Sequence, residues 1–166
     1  MDLPSAGQLA LSLMQHHGLA AAGWPFRFNQ RTRSLGLCNY TTQRIELSAP
    51  FVTRNDEPEV RDVILHEIAH ALTPPPPEAS TPRSKSQNRR ADFSPHGPAW
   101  KATCLRIGAN PNRLNTTAAA PAGKYQARCP GCGTTHHRHR SPAKGRAYLC
   151  KACGPDAGRL TFRRVG

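Results

Sequence analysis

The sequence contains no apolar run that approaches the roughly 18 residues needed for a membrane-spanning helix. Its 16 prolines and 13 glycines do not form a collagen-type repeat. The start has Asp2 and no basic residue before a short apolar stretch, unlike the charged start and long apolar segment of a secretory signal. We therefore exclude a membrane protein and a fibre, and expect a cytoplasmic protein, associated with the nucleoid or the nucleus according to the host.

Acidic residues are scarce in the second half of the chain. Residues 1–72 hold 6 Lys and Arg against 7 Asp and Glu, whereas residues 73–166 hold 17 against 3. The net charge of +13 therefore belongs to the C-terminal half. This asymmetry favours a polyanionic partner. Nucleic acid is favoured over lipid because the basic stretch has no amphipathic apolar face.

Short alternating apolar runs predict three strands, over about 24–28, 35–40 and 43–47. The connections between them are short, which favours an antiparallel meander. A capping-box pattern that begins at Ser5 predicts a preceding helix over about 6–17. We therefore expect an α+β domain in which a small antiparallel sheet packs on helices.

A second capping-box pattern begins at Asp56 and predicts a helix that runs to about Leu72. Apolar residues lie almost all round this helix, so we expect it to be central and buried. A further helix should start near Ser94 and end at Gly108. Residues 74–95, between the two, have no periodicity and are expected to form a mobile, basic loop.

The central helix carries the motif His-Glu-Ile-Ala-His at residues 66–70. Residues four apart on a helix are offset by about 40° around the axis and about 6 Å along it, so His66 and His70 can bind one Zn²⁺. Glu67 is close enough to act as a general base without ligating the metal. A core helix with hydrogen-bonded histidines is the alternative. It is disfavoured because burying these polar groups without partners is costly.

A catalytic zinc site needs a third protein ligand. His96 is the best candidate because it precedes a helix and shares the face of Trp100, which turns it toward the core. Asp92 is the reserve candidate. We expect His16 and His17 to lie at the end of the first helix rather than to bind the metal. Tyr40 is a guess for the second group that stabilises the oxyanion.

Four of the six cysteines form two Cys-x-x-Cys pairs, separated by 17 residues: Cys129, Cys132, Cys150 and Cys153. This spacing is typical of a four-thiolate zinc site in a zinc ribbon. Two disulfides or a redox pair would need an oxidising compartment or a thioredoxin-like unit, and neither is indicated. A segment of about 45 residues is too small for a sufficient core, so its fold should depend on metal. Cys38 and Cys104 are expected to pack as small apolar side chains.

The C-terminal segment is strongly basic. Residues 124–166 hold 10 Lys and Arg, including those of the run His136–Arg140, against the single acid Asp156. This density favours contacts with the phosphate backbone of DNA without base-specific readout. A merely solvated basic surface is the alternative. Residues 109–123 are rich in Asn, Thr, Ala and Pro and have the composition of a linker region.

These motifs together resemble the SprT-like zinc metalloproteases, a family that includes the DNA–protein crosslink protease Spartan. The resemblance rests on Gly-Leu-Cys at 36–38, His-Glu-Ile-Ala-His at 66–70, His-Gly-Pro-Ala-Trp at 96–100 and the four-cysteine module. It covers about residues 20–153 and is specific at the two histidine motifs.

The resemblance implies a minimal zincin-like fold with a catalytic zinc on His66, His70 and His96. It also implies that Glu67 is the base in hydrolysis of peptide bonds, often in DNA-bound proteins. We therefore expect residues 1–115 to form a SprT-like metalloprotease domain, 116–123 a linker, and 124–166 a basic four-cysteine zinc ribbon.

The resulting prediction is a zinc-dependent endopeptidase that acts on DNA-associated proteins. It would hold one catalytic and one structural Zn²⁺, contact DNA and protein substrates but no membrane, and act as a monomer. The alternative is a non-catalytic nucleic-acid-binding zinc protein or adaptor. The presence of Glu67 argues against the alternative, because a structural metal site needs no base.

Overall fold

A computed structural model of the chain describes residues 1–74, 94–114, 117–119 and 121–165. The chain divides into two compact units, Met1–Ala120 and Pro121–Gly166, and each has its own hydrophobic cluster. Both units combine helices with small sheets, which confirms the predicted α+β class. In the described ranges, no helix is both long and apolar enough to cross a membrane. Apart from its ends, the predicted loop 74–95 lies outside the described residues.

The first unit contains the elements α1 (Leu3–His16), β1 (Phe26–Asn29), β2 (Gly36–Asn39), β3 (Arg44–Ser48), α2 (Ala49–Val52), α3 (Glu57–Leu72) and α4 (Pro98–Ile107). Helix α1 begins earlier than predicted because Asp2, not Ser5, is its N-cap and accepts a hydrogen bond from the Ser5 N–H. Helix α4, in contrast, begins later than predicted, after Gly97. It ends as expected at Gly108, whose φ of 75° lies in the left-handed region.

Strand β3 lies in the middle of the first sheet, so the predicted antiparallel meander is wrong. Strand β1 runs parallel to β3, with Phe26 opposite Ile45, and β2 runs antiparallel to β3, with Gly36 opposite Leu47. The central position suits β3 because Ile45 and Leu47 on one face, and Glu46 and Ser48 on the other, are all buried, and a strand covered on both faces belongs inside a sheet. Strand β2 is consequently an edge strand.

Helix α3 is the central element of this unit, as predicted. Asp56 caps it by accepting a hydrogen bond from the Glu59 N–H, as the capping pattern indicates. The helix contacts α1, α4, β2 and β3. Most of its residues from Val60 to Ala71 are buried, so its polar side chains can stay inside only where the surrounding elements give them partners.

The second unit is built from β4 (Tyr125–Arg128), β5 (Thr135–Arg138), β6 (Leu149–Cys150), α5 (Gly154–Ala157), β7 (Gly158–Arg159) and β8 (Arg163–Arg164). Strand β4 pairs antiparallel with β5 and β8, and β6 pairs with β7. The buried cluster consists of Ala127, Cys129, Cys150 and Leu160. A core this small, half of it cysteine, provides little apolar stabilisation.

Candidate metal centres

The three histidines predicted as ligands come together at one point. The Nε2 atoms of His66, His70 and His96 lie 3.1 to 3.3 Å from one another. His66 and His70 stand one turn apart on α3, and His96 lies in the turn before α4. With Zn–N bonds of about 2.0–2.1 Å, the edge of a tetrahedral zinc site is about 3.3–3.4 Å. The three nitrogens therefore fit three corners of such a site.

The imidazoles are neutral at neutral pH, which is the form that binds a metal. Burial, together with the neighbouring histidines, lowers the pKa of His70 to about 3. Burial and the nearby His96 lower the pKa of His66 to about 4. The pKa of His96 is also lowered, by burial and by the charge of Arg113. Metal binding to these groups therefore requires no loss of a proton from an imidazolium.

Trp100 forms one wall of the histidine cluster. Its ring centroid lies 4.7 Å from those of His66 and His96, and its ring stacks on His70 at 5.2 Å with an interplanar angle of 26°. The side chain is only 2% exposed. One rigid ring thus fixes the orientation of all three imidazoles. The sequence indicates only that Trp100 shares a core face with His96, and the spacing of four residues between them is the signal for this contact.

Tyr40 approaches the same helix from the end of β2. Its hydroxyl donates a hydrogen bond to the carbonyl oxygen of His70 at 3.2 Å. Burial, with the nearby Cys38 and Glu67, raises the pKa of Tyr40 to about 12, so the hydroxyl keeps its proton. This bond ties the second histidine to the edge strand. The role of Tyr40 toward an oxyanion stays a prediction.

Glu67 lies beside the histidine cluster and outside the set of converging ligand atoms. It is 7% exposed and packs against Gly36, where an added Cβ would lie 2.6 Å from its Oε1 and 2.7 Å from its Cγ. Burial raises the pKa of Glu67 to about 8, against a smaller lowering by a hydrogen bond with the backbone of Cys38. The arrangement provides a buried carboxyl that can hold a proton next to the cluster.

A groove opens beside Glu67 and His66, with a volume of about 350 Å³. Arg33, which precedes β2, and Arg113, which follows α4, both line it. Neither arginine is among the site residues that the sequence predicts. An exposed arginine in a loop gives no signal until the fold brings it to a site.

The four predicted cysteines converge in the second unit. Their sulfur atoms all lie within 4.8 Å of one another, and the sulfurs of Cys132 and Cys150 are 3.7 Å apart. With Zn–S bonds of about 2.3 Å, a tetrahedral edge is about 3.8 Å. Hydrogen bonds, chiefly with Thr134, lower the pKa of Cys132 to about 6, whereas hydrogen bonds with Cys132 and Cys129 raise the pKa of Cys153 to about 12. In the metal-free cluster the first thiolate therefore forms at Cys132. The donor set therefore fits one Zn²⁺.

The arginines of the second unit do not all have the same surroundings. Arg128, Arg159 and Arg163 line a groove of about 530 Å³. Arg138 instead packs over the ring of Tyr148, with its guanidinium carbon 4.1 Å from the ring centroid. The exposed arginines of the groove are therefore free to meet an anion, whereas Arg138 contributes to the packing of this unit.

The remaining sequence predictions concern residues away from the two clusters. His16 ends α1 and His17 caps it, and neither joins a group of metal-ligating side chains among the residues that the structure describes. Cys104 is fully buried and Cys38 packs against the same hydrophobic cluster, as predicted. Burial raises the pKa of Cys38 to about 12 and that of Cys104 to about 11. Asp92, the reserve ligand, lies outside the described residues.

Comparison with known proteins agrees with the two units. The family model described as the SprT-like family matches residues 8–120, and the SprT-like zinc ribbon domain matches residues 123–161. Protein SprT of Yersinia pseudotuberculosis serotype O:1b (strain IP 31758) is 24% identical over 154 residues, which cover 89% of this chain and 83% of that protein. Protein SprT of Pseudomonas savastanoi pv. phaseolicola is 26% identical over 133 residues, 76% of this chain and 74% of that protein. No solved structure shows a significant match.

Proposed function

The chain belongs to the SprT-like family, and on that premise we propose that it is a zinc-dependent endopeptidase that cleaves DNA-associated proteins, as in the repair of DNA–protein crosslinks. The observation that carries the proposal is the pairing of a three-nitrogen cluster with a buried carboxyl beside it. Three ligands leave one position of a tetrahedral site open, which is the arrangement of catalytic rather than structural zinc.

His66, His70 and His96 would hold the catalytic metal. When bound, zinc supplies a Lewis acid and lowers the pKa of its coordinated water toward about 7. Glu67 would accept the proton of the attacking water and return it to the leaving amine. A carboxyl with a raised pKa suits this exchange, because it takes up and releases a proton near neutral pH.

The four cysteines would hold a second zinc with a structural role. Four protein ligands close a tetrahedral site and leave no position for substrate. The small core of the second unit supports this role, since metal ligation then contributes the folding free energy that apolar burial does not. The proposed stoichiometry is two zinc ions per chain.

The basic groove of the second unit would recruit the enzyme to DNA. Arg128, Arg159 and Arg163 place three cations on one surface, with no acidic residue among the groove's lining residues. Such a surface attracts phosphates of any sequence and releases counterions on binding. We propose in addition that the protein is a cytoplasmic, DNA-associated monomer. Its substrates would be proteins held on the nucleic acid.

Two assays test the proposal. The first measures cleavage of casein and of a DNA-crosslinked protein, with and without DNA, using Glu67→Gln and a chelator as blanks. We expect zinc-dependent cleavage that DNA stimulates and that Glu67→Gln lacks. Cleavage by Glu67→Gln at the parental rate would contradict the role of Glu67. DNA binding without any cleavage would instead support the non-catalytic adaptor.

The second assay measures how DNA affinity depends on salt. Each lost phosphate contact should reduce the slope of log K against log salt by about 0.9 for duplex DNA. Arg159→Gln should show this reduction, whereas Arg140→Gln, an exposed arginine outside the groove, serves as the matched control. If the slope is unchanged in Arg128→Gln, Arg159→Gln and Arg163→Gln, the groove does not bind the phosphates of DNA.

A further inference from the structure

We propose that the groove beside the histidine cluster selects an acidic side chain near the scissile bond, through Arg33 and Arg113. This inference rests on the proposed peptidase function and names the substrate preference of the same site. Because His66 and Glu67 themselves line the groove, a side chain bound there belongs to a residue close to the bond that is cut.

The groove is assembled from three separate parts of the chain. One part of the lining comes from the segment before β2, with Arg33 and Leu35, and another comes from the segment after α4, with Arg113. Helix α3 contributes Val63 and the two site residues already described. The groove therefore combines apolar walls with two cations, and this combination suits an amino-acid side chain that ends in a carboxylate.

The electrostatic balance of the groove favours an anion. Within the part of the chain that the structure describes, the recorded salt bridges both involve Glu46, so neither Arg33 nor Arg113 is paired with a carboxylate. Asp62 also lines the groove, but its Oδ1 accepts a hydrogen bond from the Asn110 N–H at 3.1 Å. The groove thus holds two exposed guanidiniums and two acids, of which the Asp62 carboxylate already has a partner and the Glu67 carboxyl is buried. A substrate carboxylate can pair with the two arginines.

A protein side chain fits this groove better than a nucleic acid does. Leu35, Val63 and Leu114 cover part of its surface, and apolar walls favour a partner with a hydrocarbon portion. A phosphate backbone offers charge without a long apolar stem, whereas a Glu side chain offers both. The observations therefore favour a Glu or Asp of a polypeptide.

The test uses the zinc-loaded full chain and a randomised synthetic peptide library, with cleavage positions read by mass spectrometry. We expect Glu or Asp to be enriched about fivefold over Gln or Asn at one position near the cut bond, the upper range for an accessible ion pair. Arg33→Gln and Arg113→Gln should each reduce this enrichment, and Arg113→Glu should shift it toward Lys. Arg61→Gln, which removes an exposed charge from α3 outside the groove, should leave it unchanged.

The proposal is wrong if the wild type shows no acidic enrichment, or if the double variant Arg33→Gln, Arg113→Gln retains it. If no peptide is cut by any variant, the peptidase function fails, and the groove is then tested by binding. Fluorescein-labelled peptides that differ only in Glu, Gln or Lys are titrated into zinc-loaded Glu67→Gln. About fivefold tighter binding of the Glu peptide, lost with both arginines, supports the proposal, and equal affinities overturn it.

A labelled oligonucleotide provides the remaining comparison. If Arg33→Gln and Arg113→Gln weaken oligonucleotide binding while peptide preference stays the same, these cations contact nucleic acid and the proposal is wrong. If oligonucleotide affinity is unchanged while the acidic preference disappears, the groove is a peptide subsite.

Discussion

A Cβ atom added to Gly36 would lie 2.6 Å from Oε1 of Glu67, closer than real Cβ contacts allow. Strand β2 therefore leaves room for the buried carboxyl only because residue 36 has no side chain. The edge strand and the proposed base are thus matched in shape, and a change in one must displace the other.

Gly36→Ala should displace the Glu67 carboxyl while leaving the histidines in place. We expect kcat/KM to fall at least tenfold, equivalent to about 1.4 kcal/mol of transition-state stabilisation, with both metals retained. Gly7→Ala is the matched control, because an added Cβ there meets Phe28 at an ordinary 3.7 Å. Parental activity in Gly36→Ala would show that the position of the carboxyl does not matter.

Trp100 should control the affinity of the histidine cluster for zinc. Trp100→Leu removes the ring that contacts all three imidazoles, and loss of such supporting contacts typically costs about 10- to 100-fold in metal affinity. Competition with a chromogenic chelator measures this loss separately from the cysteine site. Trp24→Leu, at a half-buried tryptophan outside the cluster, should not change it. Equal affinities in the two variants would exclude a positioning role for Trp100.

Glu46 should make the stability of the first unit depend on pH. The carboxylate is 2% exposed and accepts hydrogen bonds from Asn29, Arg44 and Arg27 at 2.8 to 3.0 Å. Burial opposes ionisation, but these bonds outweigh it and lower the pKa of Glu46 in the folded state. Its stabilisation is therefore present above the unfolded-state pKa and is lost as the pH falls through the lower folded-state value.

Glu46→Gln measures this contribution. At pH 7 we expect a loss of about 2 kcal/mol in the free energy of unfolding, because charged hydrogen bonds are replaced by neutral ones. The loss should shrink in acid, below the unfolded-state pKa. Urea unfolding is measured for this variant and for Glu57→Gln, an exposed control. The two free energies of unfolding are compared at each pH, so that any effect of metal release, which is common to both proteins, cancels. If the difference in unfolding free energy between the two variants grows in acid, folding raises the pKa of Glu46 instead of lowering it, and the prediction is wrong.

Removal of metal should unfold the second unit before the first. The first unit buries an extended cluster that includes Phe51, Ile64 and Trp100, whereas the second buries four residues, two of them cysteines. On addition of a strong chelator, amide hydrogen exchange should lose its protection in residues 121–165 while α3 remains protected. Full protection of β4 and β5 without zinc would contradict a metal-dependent fold.

The two metal-ligand sets were largely predictable, because the spacing of residues within one helix, or within one pair of turns, is enough to bring ligand side chains together. His66 and His70 lie one turn apart whatever surrounds the helix, and the Asp56 cap fixes where that helix begins. The order of the strands was not predictable in the same way. Four-residue strands such as β1 and β2 carry too little pattern to specify their neighbours, and burial of both faces of β3 decides the order.

Contacts that depend on tertiary structure were also missed. Helix α2 is only four residues long, which is far shorter than the window of about 11 residues or more over which a helical period can be recognised. Arg33 and Arg113 are far apart in the chain. Only the folded unit brings both of them, together with residues of α3, to the same groove. The approach of Gly36 to Glu67 likewise appears only in the folded unit.

The central claim is tested most directly by measuring zinc content and cleavage on the same preparations of wild type and Glu67→Gln, with casein as substrate in the presence of DNA. We expect two zinc ions per chain in both proteins, and cleavage by the wild type alone. Equal cleavage rates in the two proteins, or a wild type that binds zinc only at the cysteines, would contradict it.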